Sequence, residues 1–186
     1  MDIGTISMRY AKALLKYAKT TGTEAYFYGV AKQWVDSFGK HSDLHQSLIN
    51  PILTQRQKYS LICTAGVGAQ NVRRELSRFI SLILKNTREE FLLYISYSYI
   101  DLYRKEKHIV LARLTTASPI DAQLETKIRN SAGERLHATM ELETLVDENI
   151  IGGFIVDIEN HRLDASIASQ LKTVKKQFID KNKRIV

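Results

Sequence analysis

The chain has 186 residues, of which 44% are hydrophobic and 25% charged, a globular mix that excludes disorder and leaves room for one ordinary domain or two small ones. Its single cysteine, Cys63, excludes an internal disulfide framework, and no apolar run approaches the ~18 residues of a membrane helix, so no direct membrane insertion is expected. The formal charge is +7, with sixteen Lys/Arg against nine Asp/Glu up to Lys107 and eleven against eleven from His108 onward. All nine tyrosines and Trp34 also fall in the first stretch, so the composition predicts two domains with a seam near Arg104–His108, residues 1–105 and 106–186. The opening Met1-Asp2-Ile3-Gly4 resembles neither a signal peptide nor a transit peptide.

Up to the seam the apolar spacing is helical. The first helix is predicted from about Thr5 to Lys19, and it carries two apolar stripes. Ile6, Tyr10, Ala13, Leu14 and Tyr17 form one; Met8, Ala11, Leu15 and Ala18 form the other, with Arg9, Lys12, Lys16 and Lys19 on the polar side. An ordinary surface helix needs a single stripe of roughly 100°. Two explanations fit: a central helix buried on both sides, or one stripe packed inward while the other receives an amphipathic partner helix.

The second helix is predicted from about Glu24 to Phe38, between Gly22 and Gly39, and a short third ends before Pro51. Thr54-x-x-Gln57 and Thr87-x-x-Glu90 read as capping boxes that open helices four and six. Helix five runs from about Asn71 to Lys85, with Val72, Leu76, Phe79, Ile80 and Ile83 on one stripe and Arg73, Arg74 and Arg78 along an exposed edge. The predicted first domain is a six-helix bundle.

After the seam the period becomes two. Strands are predicted at His108–Thr116, Thr139–Val146 and from Phe154 to about Ile158. Ser118-Pro119-Ile120-Asp121 reads as the start of a helix reaching about Gly133. A last helix from near Ser166 is expected to bury Ile167, Leu171, Val174 and Phe178. Strand, helix, two strands and helix make a small α+β domain, so the predicted class is α+β overall.

No catalytic constellation stands out. Gly66-Val67-Gly68 has Asn71 where a dinucleotide loop needs its third glycine, and no Gly-Lys-Ser/Thr phosphate loop is present. His41 and His45 are four apart but lack the neighbouring Glu or third ligand of a zinc helix. Cys63 sits in an apolar helical stretch and reads as a small buried hydrophobe. Glu89-Glu90 reads as first-turn helix preference, and Glu141 and Glu143 as a solvated strand face. Neither an enzyme nor a bound cofactor or metal is expected.

Two stretches together resemble one family. Arg9-Tyr10-Ala11-Lys12-Ala13-Leu14 resembles the R-Y-A-x-A-L opening of the delta subunits of F-type ATP synthases, whose mitochondrial member is the oligomycin-sensitivity-conferring protein. Asp147-Glu148-Asn149-Ile150-Ile151-Gly152-Gly153 is similar to that family's D-x-x-L-I-G-G, and Leu163-Asp164-Ala165-Ser166-Ile167 with Leu171 to its I-D-G-S-v-x-x-x-L. Asn86-Thr87-Arg88 falls where the family has an N-x-R turn. The family's glycine between Asp and Ser is Ala165 here, which predicts a slightly different turn before the last helix.

The resemblance implies a non-catalytic stator subunit. Its first domain would grip the amphipathic N-terminal helices of alpha subunits in a groove of Tyr10, Ala13, Leu14 and Tyr17 on helix one and Phe79, Leu82 and Ile83 on helix five. Its second domain would hold the C-terminal ends of the b subunits. Asn86, Arg88, Gly152, Gly153, Asp164 and Ser166 carry structural motifs. The expected setting is the cytoplasmic face of a bacterial inner membrane, with the isolated chain monomeric and no nucleic acid bound. The alternative reading from charge alone is a basic helical nucleic-acid-binding adaptor.

Overall fold

The computed structural model describes residues 3–68, 72–121, 125–126, 139–158 and 161–183, with side chains to 176. Two compact units make up the chain, Met1–Glu106 and Lys107–Val186. Among the described residues there are seven α-helices and one four-stranded mixed sheet, so the architecture is α+β overall.

The first unit holds α1 (Ile3–Thr21), α2 (Glu24–Lys40), α3 (Asp43–Ile49), α4 (Gln55–Gly66), α5 (Arg74–Lys85), a 3-10 turn (Glu89–Phe91) and α6 (Leu92–Glu106). The Thr54 cap forms as its sequence dictates. The hydroxyl accepts from the Gln57 backbone N–H, and the Gln57 carboxamide accepts from the Thr54 N–H at 2.9 Å. Thr87 does not form the expected box. It takes a left-handed conformation (φ 50°), its hydroxyl donates to the Asn86 carbonyl, and a 3-10 turn precedes α6. Backbone closure at the end of α5 has taken this residue.

α1 packs along α6, while α2 packs on both α6 and α4. The centre is aromatic: Phe27 and Trp34 of α2 are 1% exposed and Tyr99 of α6 is 0% exposed. The Phe27 ring meets Phe79 edge-on at 6.2 Å. Each polar tip has a partner, as burial requires. Trp34 Nε1–H donates to the Ile62 carbonyl at 2.9 Å, and Tyr99 O–H to the Glu24 carbonyl at 3.1 Å. Burial pushes the Tyr99 phenol well above its ordinary pKa. Gly66 is a packing glycine, since a Cβ there would come within 2.6 Å of Trp34 Nε1. Gly68 instead takes a positive φ of 74°, so the two glycines of the half-formed pattern have separate structural reasons.

In the second unit, β1 (Ile109–Thr116), β2 (Thr139–Val146), β3 (Phe154–Ile158) and β4 (His161–Asp164) lie in the order β2-β1-β3-β4. β1 pairs with β2 in parallel, Ala112 opposite Leu142, and with β3 antiparallel, Leu114 opposite Val156. Ala112, Leu114 and Thr116 of β1 face inward. Arg113 points outward and reaches Glu143, its register partner, at 3.5 Å. The edge strand β4 was not expected, because His161-Arg162-Leu163-Asp164 is exposed throughout and shows no apolar alternation.

Two further expectations change. Ser118–Asp121 is not helical; residues 125–126 are, with the Glu125 N–H bonded to the Asp121 carbonyl, and the rest of the predicted span to about Gly133 lies outside the described residues. The last helix, α7 (Ile167–Lys183), leaves Ile167, Leu171 and Val174 exposed by 43%, 57% and 46%. Its spacing specifies an amphipathic helix, but spacing alone does not supply the surface that covers the stripe. The Phe178 side chain lies outside the described residues.

Candidate functional site

The two stripes of α1 have different fates. Ala11, Leu15 and Ala18 are buried with Ile6, Ser7 and Leu14, whereas Met8 is 38% exposed. On the other stripe Tyr10 and Tyr17 are half-buried and Ala13 is exposed, with Leu14 beneath them. α5 turns Leu76, Phe79, Ile80, Ile83 and Leu84 inward and leaves Leu82 48% exposed. An open groove of about 310 Å³ runs between the two helices.

Six of the seven residues expected on that groove line it: Tyr10, Ala13, Leu14, Tyr17, Phe79 and Leu82. Ile83 does not. It is 0% exposed and belongs to the interior. Arg78 completes the wall and was not anticipated there. Its signal was present in the sequence, for Arg78 and Leu82 are four apart on one helical face.

The Asn86-Thr87-Arg88 turn closes the end of α5 beside this groove. The Thr87 N–H bonds to Leu84 O at 3.1 Å and the Arg88 N–H to Ile83 O at 3.0 Å, which together form a Schellman motif with Thr87 in the left-handed position. Asn86 Nδ2 donates to the Tyr10 hydroxyl at 3.0 Å, tying the end of α5 to α1. The Arg88 guanidinium lies over the Phe91 ring, 5.7 Å from its centre. A neighbouring hollow of about 360 Å³ shares Tyr10, Ala13 and Leu82 with the groove and adds Ile6, Arg9, Asn86 and Arg88.

In the second unit the glycine and aspartate motifs meet at the start of α7. Gly153 sits at φ 77°, and any Cβ there would collide with the Ala165 carbonyl. The Ala165 N–H bonds to Phe154 O at 2.9 Å and the Ile167 N–H to Gly152 O at 2.9 Å, which sew the two motifs together. Ala165 itself does not adopt a positive φ. Ser166 caps α7: its hydroxyl accepts from the Ser169 N–H at 3.2 Å. Asp164 accepts from the Ser166 N–H at 2.9 Å and the Ser169 hydroxyl at 2.6 Å. The Ser169 bond, then the Ser166 bonds, hold the Asp164 carboxyl down at about 2.

The remaining candidates have structural explanations. His41 is the cap residue after α2 and His45 lies within α3, so they do not share a helix. Among the described residues no group of three metal-ligating side chains forms. Cys63 is 3% exposed, and burial raises its thiol pKa. Glu89 has a role beyond helix preference, since it holds the buried Lys58 ammonium at 2.7 Å.

A family model described as "ATP synthase delta (OSCP) subunit" matches residues 6–178. The chain is 50% identical to the ATP synthase subunit delta of Bacteroides thetaiotaomicron, 51% to that of Bacteroides fragilis and 48% to that of Phocaeicola vulgatus, each over 100% of both chains. A chain of the Toxoplasma gondii mitochondrial ATP synthase hexamer has a similar fold, with a TM-score of 0.62 at 19% identity, covering 93% of this chain and 97% of that one. By its motifs, its full-length relatives and its family match, this chain belongs to the ATP synthase delta (OSCP) subunit family.

Proposed function

We propose that this chain grips the amphipathic N-terminal helices of alpha subunits in the groove between α1 and α5, and that its second unit holds the C-terminal ends of the b subunits. The wider setting follows from the family: the chain is a structural component of the peripheral stalk of F-type ATP synthase and is not itself catalytic. In this reading the first unit works as a six-helix bundle docked on the catalytic head. The second unit joins it to the stalk, so that the head does not turn with the rotor. The site of action is the cytoplasmic face of the inner membrane. Among the described residues no helix is long and apolar enough to cross a membrane.

One observation carries the groove reading. The stripe of α1 that faces away from the interior is apolar and ends in a cleft walled by Phe79 and the half-exposed Leu82. That is the form of a receptor for an amphipathic helix. Tyr10 and Phe79 serve as aromatic anchors, and Ala13 leaves room for a close backbone approach.

Ala13→Asp tests it. Ala13 is exposed, so the carboxylate reaches water in the free protein and the melting temperature should stay within a few degrees of wild type. Once a helix docks, the same charge is desolvated and its side chain fills the space that Ala13 leaves for a close backbone approach, a cost that the exposed Arg9 and Arg88 of the adjoining hollow offset only in part. Loss of a central anchor costs ~2 kcal/mol or more, so affinity for the alpha-subunit N-terminal peptide should fall at least ~30-fold. A destabilised free protein, or unchanged peptide binding, overturns the assignment.

A further inference from the structure

The groove is apolar along its floor and cationic around its edge. Arg78 lines the groove, and Arg9 and Arg88 line the hollow that continues it past Tyr10. Two lysines extend the pattern. Lys16 follows Arg9 by seven residues and Lys85 follows Arg78 by seven, so each returns to the same flank of its helix, and both are exposed. Neither cavity has an acidic residue in its lining; Glu75, in the first turn of α5, lies outside both. Arg9, Arg78 and Arg88 form no ion pair among the described residues.

We propose that this edge selects an acidic amphipathic helix: its apolar stripe fills the groove, and carboxylates flanking that stripe meet Arg9 and Arg88 at one end and Arg78 at the other. The proposal rests on the groove reading above and adds the chemistry of the occupant. Geometry sets its size. From Ile6 to Tyr17 the lined length of α1 spans about 16 Å, or three turns. The carboxylates on the occupant therefore stand about two turns apart, on the border of its apolar face. A helix flanked by lysines meets like charge on both lips, so the edge acts against wrong partners as well as for the right one.

The charges are exposed, so they contribute modestly to affinity and more to encounter. Exposed pairs are individually weak, and charges on a rim act mainly on the association rate and its salt dependence. The experiment uses the full chain and two peptides. One is the first ~25 residues of the cognate alpha subunit, long enough to span the groove. The other has the same sequence with Asp and Glu replaced by Asn and Gln. The wild-type chain should bind the acidic peptide about three- to tenfold more tightly at low ionic strength. Raising the salt to ~0.5 M should erase most of that preference. Arg9→Gln/Arg88→Gln and Arg78→Gln should each reduce it, with the melting temperature of each variant measured alongside.

Equal binding of the two peptides by the wild-type chain, with binding still abolished by Ala13→Asp, overturns the selection while the groove stands. Binding insensitive to Ala13→Asp removes the groove and the selection together. An alpha-subunit N-terminus with no carboxylates bordering its apolar face also overturns the proposal.

Discussion

Removing either half of the Lys58–Glu89 pair should destabilise the first unit by about 3–5 kcal/mol, because the survivor is left as an unpaired buried charge. The two atoms are 2.7 Å apart, and the side chains are only 9% and 13% exposed. The second Glu89 oxygen is buried without a hydrogen-bond partner among the described residues, so the pair is imperfectly satisfied even when intact. Two consequences follow for a double-mutant cycle. Lys58→Met and Glu89→Leu should each lower the melting temperature by more than ~10 °C in a unit of this size. The double variant should return to within about 1 kcal/mol of wild type, or exceed it, since an apolar pair leaves nothing unsatisfied. Trp34 is the chain's single tryptophan, and its indole bonds to Ile62 one turn along α4 from Lys58. Its fluorescence therefore reports unfolding of this unit. Single-variant losses below ~1 kcal/mol that simply add in the double variant would mean the pair is effectively solvated, and would refute the reasoning.

Other substitutions test the turns. Gly153→Ala should cost at least ~1–2 kcal/mol in urea denaturation, because φ 77° is strained for alanine and its methyl meets the Ala165 carbonyl; no measurable loss would contradict the turn geometry. Thr87→Asn should raise stability by ~0.5–1 kcal/mol, since asparagine accepts a positive φ better than a β-branched residue; a fall in melting temperature would count against the Schellman assignment. Asp164, held down at about 2, contributes stability that is present above its unfolded pKa near ~4 and is lost as pH falls through about 2. Asp164→Asn should flatten that acid dependence, monitored by sheet circular dichroism, and an unchanged profile would show that the serine bonds are not made in solution.

Much of this fold is legible in local spacing. Alternation gives β2 as Thr139–Val146 and β3 as Phe154–Ile158, and the Thr54 box places the start of α4. Failures occur where the deciding interaction is distant in sequence or where two local motifs compete for one residue. β4 has no periodicity of its own and exists through pairing with β3. Thr87 and Glu90 have the right residue types for a capping box, yet the closing bonds of α5 claim Thr87 first. Glu89 looks like a first-turn acid until α4 brings Lys58 against it, thirty-one residues away. At the groove, the double stripe on α1 left two explanations open, and the structure speaks against burial on both sides: Ala11 and Ala18 are 0% exposed while Ala13 is exposed. Arg78 was read as edge charge because the residue type hid which cavity it borders.

The inward side of α1 has a mechanical consequence. Two of its buried contacts are alanines, Ala11 and Ala18, each with no accessible surface. Alanine has no rotatable side chain, so at these points there is no rotamer to yield when the helix is pulled. Where α1 lies along α6, a sideways load on whatever sits in the groove must shift backbone against close-packed neighbours, a steep deformation in an interior of crystal-like density. If the groove holds a partner helix as proposed, that helix would keep its position on the bundle while the load on it rises and falls.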